Sequence, residues 1–204
     1  MRLPATLAFA VLLAGCDGGE AGALAARPCP PRMAELSGVG ACIDRYEADE
    51  DGMPARGTLP ARRISFEDAE SACRRVGYRL CTGREWSRAC AGAGGDRTYP
   101  YAGRYVAGRC TTREPGEPGG NALPAAGGAR AGCVSPEGVV DLSGNVWEWT
   151  DEADPTGTLR ELRGGSFGVG GEDVACTAED RTFQPMDAAF DGYGFRCCAD
   201  ARSR

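Results

Sequence analysis

Asp141 and Glu148 bracket the octet Asp141-Leu-Ser-Gly144-Asn-Val146-Trp-Glu148, in which a glycine turn and main-chain carbonyls lie between two acids. Hard oxygen donors in that order suit calcium, which takes about six to eight of them. The EF-hand pattern is absent, and on spacing alone a strand-edge turn with two solvated acids is the simpler account. Glu47, Asp49 and Glu50 form a second acidic group, read most simply as a solvated face. The remaining reactive inventory is 11 cysteines, with no Cys-x-x-Cys pair and with Cys197 and Cys198 adjacent. Arg196 beside them could lower a thiol pKa, but in a secreted chain structural half-cystines are the better reading.

The missing residue types exclude more chemistry than the present ones suggest. There is no histidine, and all 23 basic residues are arginine. Ser-His and Cys-His pairs, His-bound zinc and two-His iron sites are therefore ruled out. So are Schiff-base lysines and phosphate-loop lysines. A net charge of -6 opposes contact with a polyanionic backbone, so no nucleic acid is expected as a partner.

The elements that must position these residues belong to one loop-rich domain. The 204 residues include 31 Gly and 13 Pro, and a hydrophobic share of 42% that counts the cysteines. That is a thin core, which covalent staples would support. Residues 1–15 have the outline of a secretory signal: Met1-Arg2, a short apolar run, then Ala14-Gly15. Leu13-Ala-Gly-Cys16 resembles the lipobox of bacterial lipoproteins, which makes Cys16 the expected lipidated N-terminus. It would be followed by a flexible tether over residues 16–28, a domain over 29–200 and a tail over 201–204. The expected location is the cell envelope, on the extracytoplasmic side, with membrane contact through the lipid anchor alone. Ser65-x-x-Asp68 and Thr82-x-x-Glu85 are capping boxes that open two helices, stopped by Gly77 and Gly92. Strands are predicted over residues 61–65, 146–150, 159–163 and 194–198, and the stretch from 99 to 139 reads as a long irregular loop.

Six motifs then occur in one order. They are Cys42-Ile-Asp-Arg-Tyr-Glu47, Arg79-Leu-Cys-Thr-Gly-Arg-Glu-Trp86-Ser-Arg-Ala-Cys90, Tyr99-Pro-Tyr-Ala-Gly103, Gly144-Asn-Val-Trp-Glu-Trp149, Leu162-Arg-Gly-Gly-Ser-Phe167 and Gly194-Phe-Arg-Cys197. Together they resemble the formylglycine-generating enzyme, or sulfatase-modifying factor, domain over nearly all of residues 42–200. The resemblance implies an α+β, C-type-lectin-like fold, loop-rich and disulfide-stapled.

Its functional residues carry over unevenly. Oxidase members of the family place two copper-binding cysteines soon after the Gly-Gly-Ser-aromatic motif. Here Phe167 is followed by Gly168-Val-Gly-Gly-Glu-Asp-Val-Ala175, so copper is not expected and no catalytic residue is assigned. Trp147 and Ser166 match positions lining the family's groove. Asp141, Gly144, Val146 and Glu148 match a family calcium site, with Asp in place of Asn at 141, which turns the octet toward a structural calcium ion. The resemblance pairs Cys73 with Cys197 and Cys90 with Cys176; weaker expectations are Cys29–Cys42 across an N-terminal hairpin, Cys110–Cys133 across the Gly-Pro loop, and Cys81–Cys198. Iron-dependent relatives that act on thiol-histidine substrates use a histidine-bearing region that this chain does not carry. The leading expectation is a lipid-anchored, non-oxidase binding or accessory protein whose partner is an envelope protein or peptide. The alternatives are an oxidase using Cys176 with Cys197 or Cys198, and lectin-like sugar binding, for which Glu117-Pro118-Gly119 is half of a ligand motif.

Overall fold

The computed structural model describes residues 29–114, 123–177 and 181–201. The signal segment, Cys16, the tether, Glu117-Pro118-Gly119 and the tail beyond residue 201 lie outside them. Among the described residues, no helix is long and apolar enough to cross a membrane.

Both helices follow from their caps. The helix α1 spans Phe66–Arg75, and the Ser65 hydroxyl accepts from the Asp68 amide at 3.1 Å. Glu67 and Asp68 stand in its first turn and Arg74 and Arg75 in its last, matching the helix dipole. It buries Phe66, Ala69, Ala72 and Cys73. The helix α2 spans Gly83–Ala91 behind a complete Thr82–Glu85 capping box and buries Trp86, Ala89 and Cys90. A Cβ on Gly83 would lie 2.3 Å from Glu161 Oε2, so only glycine lets the first turn of α2 approach that carboxylate.

The strands form two sheets. The first is β1 (Met33–Leu36), β2 (Ala41–Asp44), β8 (Cys197–Asp200) and β3 (Arg79–Leu80), in that order and antiparallel throughout. The second is β6 (Arg181–Pro185), β5 (Leu159–Arg163), β4 (Trp147–Ala153) and β7 (Tyr193–Phe195), with β4 and β7 parallel. One residue, Arg196, separates β7 from β8, so the chain passes from one sheet to the other in a single step. The strand expected over 194–198 is therefore two strands in different sheets. Residues 61–65 form no strand: Arg63 has φ 54°, in the left-handed region, and Ser65 is already the α1 cap.

One core cluster packs α1 and Leu80 against Trp149, Leu162 and Phe195; the other packs α2 and Ile43 against Val139 and Leu142. Five disulfides run through and around them: Cys29–Cys42, Cys73–Cys197, Cys81–Cys198, Cys90–Cys176 and Cys110–Cys133. They tie α1 and the β3–α2 link to β8, α2 to the segment just after the short 3-10 helix over Gly171–Val174, and the long loop to itself.

Candidate binding groove

Trp147 opens β4, and Ser166 follows the Gly164-Gly165 turn that ends β5. They meet at Gly192. The Trp147 amide donates to the Gly192 carbonyl at 2.7 Å, and a Cβ on Gly192 would stand 3.3 Å from Ser166 Cβ. Ser166 Oγ accepts from the Gly168 amide at 3.3 Å. Tyr193 is the register partner of Trp147, and both rings lie half-buried against the first core cluster. Phe190, 63% exposed, meets the Tyr193 ring edge-on at 5.6 Å between centroids. Burial raises the Tyr193 hydroxyl above the ordinary tyrosine pKa, keeping it a neutral donor. The result is an aromatic ledge with a hydroxyl at its edge, a surface that suits an apolar or aromatic side chain of a partner. Tyr193 and Phe190 escaped the sequence reading; the clue available was two aromatics flanking an Asp-Gly turn just before an apolar strand.

Beneath the ledge lies a buried cluster of charge. Glu148, one residue after Trp147, accepts from Arg196 Nε and Nη2 at 2.6 Å each and from Trp86 Nε1 at 2.8 Å. Arg196, wholly buried, donates also to the main-chain oxygens of Asp44 at 2.9 Å and Val140 at 3.0 Å. Burial works against its charge, but Glu148 more than restores it and raises its pKa. Glu47 accepts from the Asn145 side-chain amide and from the Val146 amide at 3.1 Å; burial, then repulsion from Asp141 and Glu148, pushes its pKa well up. Asp141 has φ 59°, and its Oδ2 accepts from the Gly128 amide at 2.8 Å. Burial raises it to about 6, and its other oxygen is buried without a hydrogen-bond partner. Asp44 is raised to about 7 because burial outweighs the pull of Arg32. Glu47 is thus a buried member of this cluster and not part of a solvated face, because its carboxylate holds the turn at Asn145 in place.

The octet keeps its two acids close, but not as a free ligand set. Both oxygens of Glu148 are committed to Arg196 and Trp86, so an ion bound through Glu148 would face a guanidinium at hydrogen-bond distance. Among the described residues no three acidic or sulfur side chains converge on a point that a metal could fill. Asp141, Gly144, Val146 and Glu148 as they stand do not fit calcium as one sphere, although Asp141 offers one unused oxygen.

Copper does not fit either. It needs free thiolates, and all ten cysteines of the described residues are in disulfides. Cys176, Cys197 and Cys198, the substitutes considered above, are bonded to Cys90, Cys73 and Cys81. The strip after Ser166 is closed by main chain: the Arg113 amide donates to the Val169 carbonyl at 2.9 Å, and a Cβ on Gly170 would stand 2.1 Å from the Arg113 carbonyl.

The profile of the Sulfatase-modifying factor enzyme 1-like domain matches residues 32–201. The chain belongs to the sulfatase-modifying factor family. Within it, the inactive C-alpha-formylglycine-generating enzyme 2 of Mus musculus is 32% identical over 153 residues, covering 70% of this chain and 50% of its own. The formylglycine-generating enzyme of Streptomyces coelicolor is 27% identical over an alignment of 232 residues, covering 98% of this chain and 70% of its own. The chain spans about half the length of the mammalian inactive enzymes it matches. Among solved structures, Treponema denticola variable protein 1 superposes with a TM-score of 0.66 at 15% identity, covering 86% of this chain and 93% of its own. That likeness shows the fold, which is α+β and C-type-lectin-like. This member of the sulfatase-modifying factor family has the fold and carries no cysteine between Ser166 and Cys176.

Proposed function

We propose that the chain is a non-oxidase member of the family that binds a protein or peptide of the cell envelope on the Trp147–Tyr193 ledge, held near the membrane by a lipid on Cys16. One observation carries the reading. Oxygen-dependent conversion of a cysteine through copper needs two thiolates beside the groove, and the strip that follows Ser166 is Gly168, Val169 and Gly170 packed on the main chain of Arg113. Making Cys176, Cys197 or Cys198 available would break bridges worth about 2–5 kcal/mol each. The mouse relative named as inactive supports the same reading. With the chemistry gone, Trp147, Tyr193 and Phe190 supply apolar area and Ser166 a hydrogen-bonding group.

The test is direct. Copper-loaded protein, oxygen, reductant and a Cys-x-Pro-x-Arg peptide are incubated and the peptide is weighed by mass spectrometry. The expected result is no aldehyde product. Turnover that is lost on mutating Cys176 or Cys198 would establish the oxidase instead.

A further inference from the structure

Residues 97–113 carry four arginines, Arg97, Arg104, Arg109 and Arg113, and no acid, in a chain whose net charge is -6. Elsewhere arginines such as Arg79, Arg163 and Arg196 each hold a carboxylate, of Glu85, Glu161 and Glu148 in turn. Arg109 lies over the Tyr101 ring at 5.6 Å and donates to the Gly132 carbonyl at 3.0 Å. Arg97 and Arg104 have no ion pair among the described residues. They line two open clefts that adjoin at Thr177, one of about 430 Å3 with Arg104 and Tyr105, the other of about 450 Å3 with Arg97, Arg88 and the loop 92–95. No acid lines either cleft, and Arg88 is already matched by Glu137. The acids on either side in sequence are turned elsewhere: Glu114 accepts from the Gly108 amide at 2.7 Å, and Asp96 folds back on Gly94, where a Cβ would stand 3.1 Å from its Oδ1. The floor where the clefts meet is fixed, because the Cys176 amide donates to the Thr98 carbonyl at 2.7 Å and Cys176 is bonded to Cys90 of α2.

Arg97 is half-buried, so its guanidinium loses hydration without gaining a carboxylate in return. A rigid double cleft whose unmatched charges are guanidinium groups calls for an anion, and their planar forks suit carboxylates, which they bind through two hydrogen bonds at once. We propose that the two clefts dock an acidic peptide segment, rich in Asp and Glu, of a partner protein. Its carboxylates meet Arg97 and Arg104 on the two sides of Thr177, and Tyr105 offers its ring beside Arg104. The floor is set in advance by the Cys90–Cys176 bridge, which lowers the ordering cost of binding. A long polyanion is disfavoured, because past the clefts it would meet a chain with 29 acids against 23 arginines. A short acidic segment brings its charge to the arginines alone. The proposal does not depend on the lipid at Cys16 or on the ledge.

The full chain carrying Cys16→Ser, which has no lipid attachment point, is titrated into a fluorescein-labelled octapeptide of alternating Asp and Glu and, separately, into its Asn and Gln counterpart, with anisotropy as the readout. Binding of the acidic peptide is expected, with none of the amide peptide, a comparison that requires no further variant. Affinity should fall about tenfold in Arg97→Gln/Arg104→Gln, the loss of two charge contacts at the surface. It should stay unchanged in Arg62→Gln/Arg63→Gln, whose guanidinium groups are paired with Asp191, and in Phe190→Ser on the ledge. Melting curves verify that the variants remain folded. No binding of the acidic peptide, equal binding of the amide peptide, an equal fall in either control variant, or tighter binding of inorganic polyphosphate overturns the proposal.

Discussion

Arg196 is held in a dry interior by the two oxygens of Glu148 and by two main-chain carbonyls. Removing one partner from such a pair leaves an uncompensated charge and costs about 3–5 kcal/mol. Glu148→Ala is therefore expected to destabilise the domain by that amount, measured by urea unfolding, and equally in calcium and in chelator. The wild type should melt at one temperature in both; a calcium-dependent rise that Asp141→Ala abolishes would restore the octet as an ion site. The neighbouring carboxyls make a second prediction. Asp44 and Asp141 are raised from 3.8 to about 7 and about 6, and Glu47 well above its ordinary value, in each case chiefly by burial. Between about pH 4 and 7 the folded protein keeps protons that the unfolded chain has shed, so stability falls as pH rises through that window. Glu85 and Asp154 are lowered, Glu85 because Arg79 outweighs its burial and Asp154 by the hydroxyl of Thr156, and they reverse the trend in stronger acid. Thermal melts should be higher at pH 5 than at pH 7.5, and the opposite order would show that the carboxyls stay ionised in the folded state.

The disulfides separate by the length of chain they close. Cys73–Cys197 closes 124 residues and Cys29–Cys42 closes 13. On the loop-entropy account these bridges are worth about 5 and about 3 kcal/mol. Replacing Cys73 and Cys197 by serine should therefore lower the melting temperature by about 4–8 °C more than replacing Cys29 and Cys42; equal losses would mean that native packing, not chain closure, sets their value. Both helices were legible in the sequence because Ser65 and Thr82 announce them and Gly77 and Gly92 stop them. The N-terminal hairpin was expected only as the span that Cys29–Cys42 closes, and its strands β1 and β2 were not bounded, although Gly38 and Gly40 between two apolar runs mark the turn. The β6 strand, Arg-Thr-Phe-Gln-Pro, carries too little hydrophobic alternation to stand out. Arg196 defeated the pattern for a different reason. A charge between Phe195 and Cys197 reads as the solvent face of one strand, whereas here it is the joint between two sheets, and its partner lies 48 residues away in the chain. The groove was half legible, since motif matching found Trp147 and Ser166, while Tyr193 and Phe190 join them only through the parallel pairing of β4 with β7.

For the whole molecule, the proposed envelope location is checked by intact-mass analysis of the membrane fraction. A protein beginning at Cys16 with a diacylglycerol adduct is expected, and an unmodified protein released by salt alone would remove the anchor. The position of β8 has a consequence for how such a molecule is made. It lies between β2 and β3, one residue after β7 joins the other sheet, so neither sheet is complete until the chain has been delivered almost to Asp200. Cys73 and Cys81 emerge more than 100 residues before Cys197 and Cys198, their partners at separations of 124 and 117. Meanwhile Cys90 is as near to hand as any correct partner, and an oxidising compartment will couple whatever thiols meet first. On the proposed envelope location, maturation rests on disulfide reshuffling after export, on the scale of seconds to hours that such exchange takes. A strain lacking a disulfide isomerase should accumulate this protein in scrambled, protease-sensitive forms, whatever ligand the finished domain goes on to hold.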